Sequence, residues 1–157
     1  MGRIPRIDGL RLSDELLYMR LSPFPGSGNS IPLLYCHLAD RRINVPFLSL
    51  SLHGKEIGTS CCVSVEDQDR VRALIASDPI LRERVAFVPS VGMVRLFPHQ
   101  QSMTLLGCSL QAFARARLPL YGMGSSLSSL TFITEFARLA EAAAILEKTL
   151  GGPFGSG

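Results

Sequence analysis

The sequence predicts an α+β fold in which one supersecondary unit is made twice. Three observations carry this. Apolar residues alternate along some short segments and recur every three to four residues along others, in the order strand, helix, strand, strand, helix, strand. That order returns: Asn29 corresponds to Thr104 and Asn44 to Pro119, both at an offset of 75, while Val65 and Thr134 differ by 69. The second hairpin is therefore about six residues shorter than the first. Finally, a spare strand precedes the first unit, and the second unit lacks its last. The unit is β-α-β-β-α-β, the ferredoxin-like arrangement with an antiparallel sheet.

The elements follow in order. Ile7 to Leu12 is a short strand after Pro5. Glu15 to Leu21 is a clearer one, with Leu17, Met19 and Leu21 on one face. "SPFPGSGNS" is a loop, and Asn29 or Ser30 caps the helix after it. That helix carries an apolar stripe of Ile31, Leu34, Tyr35 and Leu38, with Pro32 in its first turn. "INVPFLSLSLHGKEIGTSCCVSV" is a hairpin. Its first strand alternates Leu48, Leu50 and Leu52 with Phe47, Ser49 and Ser51, so only one set is expected in the core. The serine set suits water or a polar interface holding a small polar ligand.

A helix begins near Glu66, with Val71, Leu74 and Ile75 inward, and Pro79 ends or bends it. "VAFVPSVGMVRLF" supplies two strands divided near Pro89 or Ser90. "HQQSMTLLGCSLQAFARARL" is a helix striped by Leu106, Leu110 and Phe113. "LPLYGMGSSLSSLTFIT" is a second hairpin with a Gly/Ser interruption. Leu139, Ala143, Leu146 and Leu150 stripe the last helix, and "GGPFGSG" is a frayed tail. A sheet short of its fourth strand leaves an edge unpaired. The spare strand Ile7–Leu12 is expected to fill it. The domains expected are a first unit over 13–89, a second over 1–12 plus 90–151, and a flexible tail over 152–157.

Composition narrows the function. Of 157 residues 46% are hydrophobic and 18% charged, which describes a folded chain. The formal net charge of +3, on scattered basic residues, argues against nucleic acid. Aromatic stacking residues of the RNA-binding kind are missing from the strands. No apolar run reaches the ~18 residues of a membrane span, and "MGRIPRIDGLRLSDELL" has no signal-peptide core. Cys36, Cys61, Cys62 and Cys108 form no C-x-x-C pair and read as reduced thiols, in keeping with a cytoplasmic protein. His37, His53 and His99 have no metal-ligand spacing. "GMGSSL" opens no helix and lacks the third glycine of a dinucleotide fingerprint. Asp67, Asp69 and Glu66 serve a helix N-terminus. No nucleophile stands with a base, so no catalytic residue, cofactor or metal is expected, and no enzyme activity.

Several stretches together resemble the paired ACT units of the aspartate kinase regulatory region. "IDGLRLSDELLYMRL" has the layout of that family's entry segment, and "INVPFLSLSL" resembles its helix-to-strand junction with an Asn after an apolar residue. "GTSCCVSVEDQDRVRAL" and "GSSLSSLTFITEFARLAEAAAIL" resemble the third strand and second helix of successive units. The resemblance covers about residues 7 to 150 and leaves no room for the kinase domain. It implies a tandem ACT protein whose N-terminal strand completes the second unit. It further implies a small amino acid effector, such as lysine or threonine, bound at a subunit interface.

A free amino acid brings a carboxylate, which suits amides at a helix start, and a glycine-rich loop permits close approach. The loop and helix start Gly26, Ser27, Gly28, Asn29, Ser30 and Ile31 are the leading candidates; the alternative is a surface loop with an N-cap. By resemblance, Asn44 and Val45 follow at the second strand, although Asn44 also reads as a turn residue and Pro46 departs from the family's polar residue. In the second unit the matching loop has no glycine, and Gln101 and Ser102 are its hydrogen-bonding residues. Ser125 and Ser126 match a stretch that can face the effector, against a β-bulge as the plain reading. The partners expected are the effector, a second copy in a homodimer, and a biosynthetic enzyme in trans, with neither nucleic acid nor membrane. The alternative is an ACT-type dimerisation or adaptor module without ligand.

Overall fold

The computed structural model describes residues 6–98 and 101–156. In chain order these form β1 (Gly9–Leu12), β2 (Leu16–Leu21), α1 (Ser27–Asp40), β3 (Phe47–His53), β4 (Glu56–Ser64), α2 (Gln68–Ser77), β5 (Val85–Phe97), α3 (Met103–Arg115), β6 (Gly122–Ser125), β7 (Leu130–Glu135), α4 (Leu139–Leu150) and β8 (Gly155–Ser156). The fold is mixed, with antiparallel sheet and a βαββαβ-like element order. Among the described residues no helix is long and apolar enough to cross a membrane. The chain divides into two compact units, Glu15–Ser90 and Met1–Asp14 with Val91–Gly157.

In the unit Glu15–Ser90, β3 and β4 form a hairpin from Phe47↔Cys62 to His53↔Glu56. Its two-residue turn needs a left-handed residue, which Gly54 supplies at φ 63°. β4 pairs with β2 from Leu16↔Ser64 to Leu21↔Thr59. Leu17, Met19, Leu21, Cys61 and Val63 point to α1 and α2 and meet Ile31, Leu34, Leu38, Val71, Leu74 and Ile75 in one core. Each such side chain contributes roughly 1.5–3 kcal/mol on burial. The hairpin departs from expectation. Register puts Leu48 opposite Cys61 and Leu50 opposite Thr59, on the helix side, yet Leu48, Leu50 and Leu52 are 48%, 56% and 75% exposed. β3 pairs only with β4, at the end of the strand order, where the helices no longer cover it. Ser49 and Ser51 are exposed as well. On the face opposite the helices Tyr18, Cys62 and Phe47 are buried instead.

Three local expectations shift. α1 starts at Ser27, because Gly26 turns the chain at φ 88°. Pro32 is therefore its sixth residue, in the second turn, and no side chain caps the helix. The segment from Val85 is one strand of 13 residues, not two; the expected division survives as a left-handed Ser90, φ 55°, inside it. The second helix is preceded by a 3-10 turn at Val65–Asp67, capped by Ser64 Oγ accepting from Glu66 N–H at 3.2 Å.

In the unit holding Val91–Gly157, β5 pairs antiparallel with β7 from Val91↔Glu135 to Leu96↔Leu130, and β7 with β6. The other edge of β5 takes β1, from Gly9↔Phe97 to Leu12↔Val94. Ser13 extends the pairing, its N–H reaching Met93 O at 3.0 Å and its Oγ accepting from Met93 N–H at 2.8 Å. Ile7 and Leu10 join Val94, Leu96, Leu105, Phe113, Leu130, Phe132, Leu139 and Leu146 in a second core. The buried stripe of α3 is Leu105, Ser109, Ala112 and Phe113, one residue off the expected one, with Leu106 and Leu110 at its flank. In α4, Ala142 takes the buried place expected of Ala143. Where a frayed tail was expected, Phe154 packs on this core and Gly155–Ser156 runs parallel to Gly9–Leu10.

Deleting residues 1–12 strips one edge of β5. Amides of Arg95 and Phe97, which face β1, should lose at least tenfold in hydrogen-exchange protection, about 1.4 kcal/mol, while those of Leu17 and Met19 keep theirs. Equal loss in both places contradicts this pairing.

Candidate functional site

The start of α1 spends most of its polar groups internally. Ser27 N–H donates to Phe24 O at 2.9 Å, and the amides of Asn29 and Ser30 donate to Gly26 O at 3.0 and 3.2 Å. Three of the first four helix amides are thus bonded, which weakens the helix start as a ready-made anion site. Ser27 is fully buried, and its Oγ accepts from Ile57 N–H at 2.7 Å. A Cβ on Gly28 would stand 2.9 Å from Lys55 O, so this glycine lets the helix meet the hairpin turn. Asn29 is exposed and Ile31 is core.

The other predicted residues lie elsewhere. Asn44 is exposed and Val45 half-buried, just beyond the far end of α1. A helix of 14 residues is about 21 Å long, so one chain does not bring Asn44 to Gly26–Ser30. Gln101 is exposed with φ 53°. Ser102 caps α3, its Oγ accepting from Leu105 N–H at 3.1 Å. Ser125 ends β6, whose register with β7 is regular, without the bulge considered. Ser126 Oγ closes the hairpin turn, accepting from Ser129 N–H at 3.1 Å. His99 and Gln100 lie outside the described residues.

What the structure does assemble is a cavity of about 310 Å³ in the unit Glu15–Ser90, lined by Arg20, Leu21, Ser22, Pro23, Ser49, Ser51, Gly58, Thr59 and Ser60. Register explains its chemistry. Arg20 stands opposite Ser60, and Ser60 opposite Ser49, so a guanidinium and two hydroxyls form a row across three strands. In the next row Gly58 faces Ser51; a Cβ there would lie 2.7 Å from Ser51 Oγ and 2.9 Å from Pro23, filling the space between them. Arg20 belongs to none of the ion pairs found among the described residues. A free guanidinium fork beside hydroxyl donors suits a carboxylate. Sequence alternation places Arg20 on the face of Leu16 and Tyr18, but only the strand pairing reveals that Ser60 and Ser49 stand in its row.

Behind the cavity, Thr59 Oγ1 donates to Ser49 O at 3.0 Å and therefore accepts from the Tyr35 hydroxyl. Burial, and then the neighbouring Cys61, push the Tyr35 phenol above its ordinary range. Burial also raises the thiols of Cys61, to about 11, and Cys62, to about 12. All three are neutral at physiological pH, so they bring no charge to the cavity. Among the described residues no group of three or more His, Cys, Asp or Glu side chains is placed to hold a metal ion.

No protein-family model matches the sequence, and no curated protein sequence does. Solved structures do. The ligand-free regulatory subunit of aspartate kinase from Thermus thermophilus matches with a TM-score of 0.75 at 16% identity, over 91% of this chain and 97% of that one. Aspartokinase alpha and beta subunits match with 0.81 at 11%, over 94% and 100%. E. coli aspartokinase III, in complex with lysine and aspartate, matches with 0.65 at 13%, over 94% of this chain and 34% of that one. The first is a regulatory subunit matched almost entire, without a kinase domain. At these identities the likeness is one of fold.

Two outcomes follow. Ser27→Ala leaves the half-buried Ile57 N–H without its acceptor and should cost about 1 kcal/mol in chemical unfolding; an unchanged midpoint contradicts the packing role. At pH 8 a thiol reagent should modify exposed Cys36 in the folded protein and reach Cys61 and Cys62 only after denaturation. The sign is set by the raised values: below about 9 these thiols are neutral whether folded or not, and stability falls as pH climbs from there through 11.

Proposed function

We propose that this chain is an ACT-type regulatory module that binds a small amino acid and transmits its presence to a partner. The observation that carries the reading is the Arg20 cavity, set in a fold like that of aspartate kinase regulatory subunits. On this reading the chain is a tandem pair of ferredoxin-like ACT units, 13–89 and 1–12 plus 90–151, with the N-terminal strand completing the second. It acts without catalysis of its own, in the cytoplasm. The responding protein is a biosynthetic enzyme in trans.

Two places in the first unit compete for the effector's carboxylate. The helix start Gly26–Ile31 has three of its first four amides bonded; Arg20 has a guanidinium in no ion pair, with Ser49 and Ser60 beside it. We assign the carboxylate to Arg20. Asn44 and Val45, a helix length from the loop, would join it from a second copy. The apolar strip Leu48, Leu50 and Leu52 on the unpaired edge of β3 supports such a homodimer. Gln101, Ser102 and Ser126 carry less weight, since their local roles are turn and cap. Lysine and threonine are the effectors the family resemblance implies. Binding shifts a regulatory equilibrium only by its difference in affinity between two states.

A second reading is a dimerisation or adaptor module that binds no effector. The internal use of Ser27 and Gly28 favours it, because the glycine-rich loop then has a purely structural task.

Thermal melting with each standard amino acid separates the two. An effector at one hundred times its Kd should add roughly 2.7 kcal/mol, and Arg20→Gln should weaken it at least tenfold with little change in the unliganded melt. Flat curves for every amino acid, in a protein that sediments as a dimer, favour the adaptor.

A further inference from the structure

We infer that Arg11 and Arg95 form a second binding site, for a doubly charged phosphate-type oxyanion, on the sheet of the unit holding Val91–Gly157. Arg11 of β1 stands directly opposite Arg95 of β5, and Arg95 directly opposite Thr131 of β7. All three lie on the face away from α3 and α4, because their neighbours Leu10, Val94, Leu96, Leu130 and Phe132 fill the helix-side core. Gly124 ends the row opposite Thr131 and adds no side chain.

Like charges directly opposite on neighbouring strands repel. Neither arginine belongs to an ion pair among the described residues; those pairs are Arg6–Asp8, Arg70–Asp67 and Arg138–Glu141. Arg95 Nε is buried and is the one buried side-chain polar atom among the described residues without a hydrogen-bond partner. Buried donors of this kind call for an explanation, and a bound anion is one. Arg11 is oriented by packing instead of by a counter-charge. Its guanidinium lies 5.5 Å from the centroid of the Phe97 ring, and that ring occupies the space a side chain on Gly9 would need. The two arginines thus stand on directly opposite register positions, and neither is neutralised by an ion pair found among the described residues.

An oxyanion between the two guanidinium groups accepts from Arg95 Nε and from Arg11, and the Thr131 hydroxyl is the third donor in the row. Two fixed positive charges match two negative ones, which favours a phosphate group over a single carboxylate. The repeat sharpens the contrast. Arg20 holds the place in the first unit that Arg95 holds in the second, at the same offset of 75 that aligns the two copies. Only one guanidinium stands in that first row, and its partners are serines. The second guanidinium comes from β1, the strand borrowed from the front of the chain.

The test is titration of inorganic phosphate into the full chain, followed by the side-chain Nε–Hε resonances of arginine, with succinate and ionic-strength-matched chloride as separate arms. Phosphate should shift the Arg95 and Arg11 signals along one saturable curve and leave that of Arg20 in place. Arg95→Gln and Arg11→Gln should each weaken phosphate at least tenfold, and Arg20→Gln should not. Arg95→Lys keeps the charge and removes the fork, so it too should lose affinity. Four results overturn the proposal: no shift on the wild type, an equal shift with chloride, saturation by succinate but not phosphate, or full affinity in Arg95→Gln. Should the glutamine variants not fold, the wild-type resonances decide alone. Loss of the amino-acid response in Arg20→Gln leaves this outcome untouched, so the two sites succeed or fail separately.

Discussion

A strand in the middle of a sheet must be paired on both sides, and in the second unit one of the two neighbours comes from the far end of the sequence. β5 meets β7 on one edge, as a local hairpin-and-helix unit provides, but its other edge is met by Gly9–Leu12. Leu10 brings apolar surface with it and Ser13 adds two hydrogen bonds, so the borrowed strand is part of the core and not a strap laid over it. Removing backbone partners from β5 would leave N–H and C=O groups open at a sheet edge. The arginine row, the second core and the position of β8 all presuppose this pairing.

Much of this was legible in the residue pattern. The order of elements follows from alternation and from the three-to-four spacing of Ile31, Leu34 and Leu38, and of Leu139, Leu146 and Leu150. What the pattern misplaced has a common cause: it measures hydrophobicity and cannot see what a neighbour covers. Leu48, Leu50 and Leu52 look like core and are exposed, because β3 lies past the reach of the helices. Ser27 looks like a loop residue and is fully buried, because its hydroxyl serves Ile57. Ser90 looks like a break and is a left-handed residue within a continuous strand.

The site was less legible than the fold. A glycine-rich loop before a helix has two uses, admitting a ligand or admitting another segment of the same chain. Gly28 and Lys55 take the second. Arg20, Arg11 and Arg95, which belong to no ion pair found among the described residues, each sit in an alternating strand where a sequence reader takes an arginine for a solvated side chain. Their meaning comes from cross-strand register: Arg20 against serines, Arg95 against another arginine. Register joins residues about 40 positions apart in the first case and about 85 in the second, beyond any local pattern.

The borrowed strand also sets an order of assembly during synthesis. Ser13 leaves the ribosome 80 residues before Met93, the partner its hydroxyl finally meets. By then Glu15–Ser90 has every residue of its own compact unit, whereas Leu10 and Leu12 remain unmatched until β5 emerges. The nascent chain therefore carries an unpaired strand until β5 has been made, the state in which chaperone capture and mispairing between neighbouring chains on one polysome compete with folding.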